Sequence, residues 1–383
     1  MKKRKIFNAV DRPDVWKPIL AGKKVGLVTN PSGVDRELRL TSDILYESGN
    51  LTCMFSPEHG VRGDKQAGDQ IGTYIDEKTG LPVYSLYGSG CRHIKPEIME
   101  EIDAIVFDIQ DVGARFYTYI YTLSFVMEDC VTYGKEMIVF DRLNPLGGVR
   151  PEGTVLEPEF ASTIGRFPIA TRFNMTVGEY AKFINETQNI NCPLTVVPID
   201  GWSRECIFSD TDLSWVSPSP NLPTPSANFC YIGTCLAEGT NLSEGRGTTR
   251  PFETVGAPWI DADEVVAYMK SLSLPGVKFR PCHFTPTFSK HAGELCHGIQ
   301  LHVTDYREFM PFETGLYLIS HIRETYPDFA IRGASKTGKY FIDLLMGCDD
   351  FRKDDFSIEA FLKRQKEKLT EYESLIKKFY LYS

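Results

Sequence analysis

Residues 103–109 read DAIVFDI, an apolar run closed at both ends by aspartate. A strand with one wet face alternates polar and apolar residues, whereas this run does not, so it predicts a strand buried on both faces of a parallel sheet. Working outward, residues 118–133 have helical spacing and stop at Gly134, and EMIVFD then repeats the first pattern. Upstream, KKVGLVTN (23–30), LTCMF and LPVYSLYG read as strands, with TSDILYESG and KPEIMEEI as short helices. Downstream, Thr176 and Glu179 form a capping box ahead of the helix TVGEYAKFI, and PLTVVPI closes the series. Strands alternating with helices imply an α/β domain whose mainly parallel sheet is covered on both sides.

The proline-rich run WVSPSPNLPTPSAN (215–228) interrupts this pattern and reads as a linker or cleft wall. Beyond it DADEVVAYMKSL is a helix capped by Asp261, VKFRPCHFTPTFS and HGIQLHVTD are strand-like, and ETGLYLISHIRETY and 357–380 are helical. The expected division is a first domain over 1–227 and a smaller second α/β domain over 228–383.

Hydrophobic residues make up 42% of the 383 and charged residues 24%, the balance of an ordinary globular protein. A net charge of −9 argues against nucleic acid as partner, because phosphate binding needs a basic face. No apolar run reaches the ~20 residues of a membrane span. The start, MKKRKIFNAVDRPDVW, lacks an apolar signal region, and ten scattered cysteines without a CxxC suit reduced, partly buried thiols better than a disulfide framework. On these features the chain reads as cytoplasmic.

Ligands bind at the carboxyl ends of the strands in open parallel sheets. Three polar loops should meet there: SPEHGVRGD after LTCMF, QDVGARFYTY after DAIVFDI, and DRLNPLGG after EMIVFD. In the first, Glu58 could serve as a general acid if burial raised its pKa, with His59 orienting it or binding a hydroxyl. The second gathers Asp108, Gln110, Asp111, Arg115 and Tyr117, and carboxylates, an amide and aromatic rings are the materials of a carbohydrate site. In the second domain EGTNLSEGRGTTRPFE (238–253) offers Asn241, Glu244 and Arg246 on a glycine-rich loop that permits close backbone approach. Arg62 or Arg246 could hold a carboxylate in bidentate fashion. The bland alternatives are a turn-stabilising Glu58, an internal Asp–Arg pair in the second loop, and a Glu244–Arg246 pair.

Two further patterns carry less. GASKTGKY (333–340) has the spacing of a phosphate-binding loop, but Tyr340 stands where a magnesium-binding Ser or Thr is required. Cys282, His283, His291, Cys296 and His297 are metal-ligand types in no common zinc spacing, so neither a metal nor a nucleotide cofactor is expected.

Taken in order, FSPEHGVRGD, FDIQDVGARFYTYIYTL, FDRLNPLGG, SPSPNLP, EGTNLSEGRGTTRPFE and FSKHAGELCHGIQLHVTD resemble the exo-β-N-acetylmuramidase family, the NamZ-type peptidoglycan hexosaminidases. The similarity runs from about residue 23 to the C-terminal FYLY. The resemblance implies a Rossmann-like first domain, a cleft between the domains, and release of N-acetylmuramic acid from the non-reducing end of peptidoglycan fragments. It places the family's catalytic glutamate on Glu58, through PEHG. Glycosidases commonly need a second carboxylate, and Asp108, Asp111 and Glu244 are the candidates. Asn221, in SPSPNLP, joins the substrate-binding candidates. Family members are often exported, and relatives often show Arg-His-Gly-Met-Thr where this chain has Arg172-Phe173-Asn174-Met175-Thr176. The competing readings are a non-catalytic binder of cell-wall fragments and a nucleotide-dependent transferase.

Overall fold

The computed structural model describes residues 3–57, 60–63, 72–86, 92–336 and 338–383. The first half contributes β1 (Val25–Thr29), β2 (Leu51–Ser56), β3 (Tyr74–Ile75), β4 (Pro82–Ser85), β5 (Ala104–Asp108) and β6 (Glu136–Phe140). A small antiparallel pair follows, β7 (Glu152–Val155) with β8 (Ala170–Arg172), and then β9 (Leu194–Val197). Apart from that pair, these strands form one sheet in the order β3-β4-β2-β1-β5-β6-β9. All neighbours are parallel except β3, which runs against β4. The parallel strands therefore run outward in both directions from β1 and β5, the doubly wound arrangement of Rossmann-like folds.

The stretch 103–109 supplies β5, and its strand residues are all buried. Ile105 and Phe107 pack under the helices Tyr119–Thr132 and Val177–Thr187, while Ala104 and Val106 face the other layer with Trp16 and Leu45. Both faces being dry is the reason the run lacks alternation. The capping box is in place: Glu179 N–H donates to Thr176 Oγ1 at 3.2 Å, and Thr176 N–H to Glu179 Oε2 at 3.0 Å.

The second half forms an antiparallel sheet, β10 (Thr254–Ala257), β12 (Cys296–Val303) and β11 (Val277–Phe284) in that order across the sheet. Asp261 caps the helix Ala262–Ser271 through the N–H groups of Asp263 and Glu264. The run 215–228 is not a free linker. Tyr119 Oη donates to the carbonyl of Pro218 at 2.9 Å and Trp215 Nε1 to that of Leu222 at 3.0 Å, and a helix, Pro225–Thr234, starts at its end with Thr224 as cap. Proline at the first helical position is preorganised for this role. The helix spans the expected division at 227/228, and its Phe229 and Ile232 share one core with Val112, Ala114, Phe116 and Leu146 of the first half. The last helix, Ile358–Ile376, returns the favour: Tyr372 and Ile376 lie in the first half's core, and Tyr372 Oη donates to the Phe173 carbonyl at 3.0 Å.

The nine described cysteines are buried and free. Among the described residues no helix is long and apolar enough to cross a membrane.

Candidate active site

Because β2, β5 and β6 are parallel, the loops that follow them share one edge of the sheet. Glu58 and His59, on the first of these loops, lie outside the described residues. Arg62, four residues on, has its guanidinium engaged: Nη2 donates to Asp76 Oδ2 at 2.8 Å and to Asp43 Oδ1 at 3.1 Å, and Nε to Asp76 Oδ1. The hydrogen bonds from Arg62 hold the Asp76 carboxyl well below the usual carboxylate range. Arg62 thus ties the β2 loop to the β3 edge and to the helix Thr41–Glu47. Its Nε and Nη2 are taken by two carboxylates of the protein, contrary to the expectation of a fork free for a ligand carboxylate.

The β5 loop divides similarly. Asp108 is buried and accepts from Arg142 through both oxygens, with Nη2 to Oδ2 at 2.9 Å, and from Thr41 Oγ1. The internal Asp–Arg pair exists, with Arg142 of the β6 loop as partner, and it leaves Asp108 no free oxygen for catalysis. Gln110 spends its amide on the carbonyls of Asp111 and Leu143, at 2.8 and 2.9 Å. Arg115 is fully buried and reaches the carbonyls of Leu345 and Met346 at 3.0 and 3.1 Å, and the hydroxyls of Thr154 and Thr171. Those carbonyls end the helix Phe341–Met346, where a cation is favoured. Arg115 therefore clasps the two halves together through Nη2, while its buried Nε and Nη1 have no hydrogen-bond partner.

Asp111 differs from these. Oδ2 accepts from Gly113 N–H at 2.6 Å, Oδ1 has no partner, and burial pushes its carboxyl up to about 7. Tyr117 stands close by with an unpartnered buried hydroxyl, and burial raises its pKa well above the usual value.

A cavity of ≈ 630 Å³ lies in the second half, lined by Glu238, Asn241, Glu244, Arg246, Lys290 and Arg332 among others. Arg246 donates to Glu238 Oε1 from Nη2 at 2.8 Å and stands 3.3 Å from Glu244 Oε1. Lys290 Nζ is 3.0 Å from Glu244 Oε2, but its hydrogen bonds run to the carbonyls of Ala237 and Thr240 at 2.7 and 3.1 Å. Burial raises Glu238, with Arg246 opposing. Gly245, at φ +80°, lets the chain turn between Glu244 and Arg246, and a Cβ there would sit 2.4 Å from Thr254 Oγ1. Three non-glycine residues around this cavity also have positive φ: Phe252 at 63°, Ser289 at 70° and His291 at 56°. Such conformations cost of order 1–3 kcal/mol each and gather at functional sites.

Aromatic rings join this cavity to the β5 loop. Arg246 lies 5.0 Å over Phe252, Phe252 meets Tyr231 at 4.7 Å, and Tyr231 meets Tyr117 at 6.2 Å. These rings belong to the hydrophobic core that the two halves share.

Two family models, described as the N-terminal and C-terminal parts of exo-β-N-acetylmuramidase NamZ, match residues 25–226 and 229–382. The chain belongs to the exo-β-N-acetylmuramidase NamZ family. It is 48% identical over 389 residues to the peptidoglycan β-N-acetylmuramidase NamZ of Bacillus subtilis (strain 168), covering 100% of this chain and 92% of that protein. It is also similar to two crystal structures of DUF1343 family proteins from Bacteroides fragilis NCTC 9343. The first has a TM-score of 0.91 at 35% identity over 100% of both chains, and the second 0.80 at 29% over 99% of both.

In this NamZ-family chain the fold brings Glu244 and Arg246 to the cavity as a pair. Asn241 also lines it, although its side chain is bonded to the backbone of Asp328 and Ala330. Asn221 is buried midway along the proline-rich run 215–228. Glu238, Lys290 and Arg332 were not expected. Glu238 opens the quoted glycine-rich stretch, but Lys290 and Arg332 arrive from distant loops that no local spacing connects to it. The metal-like cluster separates in space: His283 and His297 face each other across β11 and β12, with Nδ1 atoms 2.8 Å apart, while His291 bonds the Asn241 carbonyl. Among the described residues no three metal-ligating side chains converge.

Proposed function

We propose that this protein is a glycosidase of peptidoglycan, an exo-β-N-acetylmuramidase that releases N-acetylmuramic acid from the non-reducing end of glycan fragments. The observation that carries this reading is the full-length relationship to a peptidoglycan β-N-acetylmuramidase at 48% identity. The charged cavity at Glu244 supports it.

In the proposed mechanism Glu58, assigned from the PEHG match, protonates the glycosidic oxygen as the C–O bond breaks, and water supplies the hydroxyl to the anomeric carbon. We assign the second carboxylate to Glu244, which lines the cavity, because Asp108 is consumed by Arg142 and Thr41, and burial pushes the Asp111 carboxyl up to about 7, disfavouring the ionised form. Glu244, braced by Arg246 and Lys290, could stabilise the cationic sugar or orient the 2-acetamido group for attack by its own carbonyl. The lactyl carboxylate then requires a cation. The Nε/Nη2 edge of Arg62 is held by Asp43 and Asp76, so we assign this role to the group lining the cavity. Glu238 and Glu244 there face Arg246, Lys290 and Arg332, which leaves one positive charge over for a carboxylate. Arg332 has no carboxylate partner among the described residues and lies over the ring of Phe341.

The decisive experiment incubates the protein with a chromogenic β-MurNAc glycoside and with its β-GlcNAc counterpart. Turnover selective for the first is expected. Binding of muramoyl fragments without turnover of either glycoside would replace the enzyme with a binding protein.

A further inference from the structure

Another cavity, of ≈ 350 Å³, opens between the halves and is lined by Leu146, Arg150, Arg172 and Ile207 from the first and Tyr306 and Arg307 from the second. It shares no lining residue with the cavity at Glu244. It borders the loop after β6, which lies three strand spacings from the loop after β2, about 14 Å along the sheet edge.

Two guanidinium groups at this cavity lack their complement. Arg172 is buried and donates Nη2 to the Leu146 carbonyl, but Nε and Nη1 have no hydrogen-bond partner, and Nη1 is 3.6 Å from Glu152 Oε2. Arg150 gives Nη2 to the Phe309 carbonyl at 2.7 Å, while its buried Nε has none. Glu152 faces both cations, yet only its Oε1 is hydrogen-bonded, by Phe312 N–H at 2.7 Å. The other two arginines of the wall are already matched. Arg204 bonds Glu179 and the carbonyls of Gly148 and Asn174, and Arg307 bonds Asp210 at 2.7 Å. Two neighbouring guanidiniums sharing one misaligned carboxylate repel each other, and buried N–H donors without acceptors are costly. Burial lowers Arg172 to about 10, with Glu152 opposing, which is consistent with an under-compensated cation.

We propose that this cavity binds a small molecule carrying one carboxylate or phosphate group, seated between Arg150 and Arg172. Two anionic oxygens would pair with these buried, unpaired N–H groups once the two side chains turn them toward the cavity, in the forked geometry that guanidinium favours. The apolar body of the ligand would rest on Leu146, Ile207 and the ring of Tyr306. Since both halves form the wall, an occupant bridges them.

Calorimetric titration of the full chain with sodium isobutyrate, and separately with inorganic phosphate at matched ionic strength, tests this without reference to hydrolysis. One arm should saturate at one site per chain, and which arm does so assigns the carboxylate or the phosphate class. Arg150→Gln should weaken that binding by about ten- to a hundredfold, and Glu152→Gln should strengthen it by removing the competing carboxylate. Failure of both probes to saturate overturns the proposal. So does unchanged affinity in a folded Arg150→Gln protein. If Arg150→Gln does not fold, unchanged or weaker affinity in Glu152→Gln overturns it.

Discussion

Replacing Asp111 with asparagine should alter stability in a way that depends on pH with a fixed sign. The carboxyl is buried, one oxygen has no partner, and its pKa stands at about 7 against an ordinary 3.8. As pH rises through the unfolded value, the unfolded chain loses this proton while the folded chain keeps it. Stability is therefore lost progressively across that window, until the folded group has ionised near pH 7. A gap of about three units corresponds to about 4 kcal/mol in total, since each unit is about 1.4 kcal/mol. Between about pH 5 and about pH 8 the wild type should lose roughly 2.5 kcal/mol through this group. Asparagine cannot ionise. Its amide can still accept from Gly113 N–H, and the cost of leaving its donors unpaired, about 1–3 kcal/mol, does not vary with pH. Asp141, also pushed up to about 7 by burial, titrates in both proteins and cancels in the difference. Urea unfolding of both proteins at the two pH values should show the variant gaining roughly 2.5 kcal/mol relative to wild type on going to the higher pH. A difference that stays constant within ~0.5 kcal/mol would refute the claim that burial keeps this carboxyl neutral.

Glu58→Gln should reduce hydrolysis of the β-MurNAc glycoside by at least about 10²-fold with muramoyl-fragment binding retained; near-normal kcat in a folded variant removes Glu58 from the acid role. Arg246→Leu and Arg332→Leu separate two duties at the Glu244 cavity. The first should lower kcat on both glycosides by releasing Glu244, whereas the second should lower the MurNAc to GlcNAc ratio of kcat/KM by roughly tenfold. Arg62→Leu should leave that ratio unchanged while lowering Tm, because its bonds go to Asp43 and Asp76. Arg115→Met should cost about 2–4 kcal/mol in chemical unfolding, since it strands the carbonyls of Leu345 and Met346 without donors.

Much of the fold was legible because burial leaves a pattern in the order of residues. DAIVFDI and EMIVFD lack alternation since both their faces are dry, and Thr176 with Glu179 announces a helix start through bonds that span three residues. The order of those strands also placed the β2, β5 and β6 loops on one edge. Short elements such as β7, β8 and β10 left no such trace, and the helix at Pro225 hid behind the prolines that precede it. The motifs likewise disclosed the family, because they are long and occur in a fixed order. Which of their polar residues remain free was a different matter. Asp108, Arg62 and Arg115 carry the same charged groups as Glu244 and Arg246, and in the sequence all five look equally available. Only the folded chain brings Arg142 to Asp108, Asp76 to Arg62 and the end of a distant helix to Arg115. A hydrogen bond formed across tens or hundreds of residues is set by the packing of whole elements, and no local spacing encodes it. The same packing delivers Lys290 and Arg332 to Glu244, and leaves Arg150 and Arg172 with donors to spare.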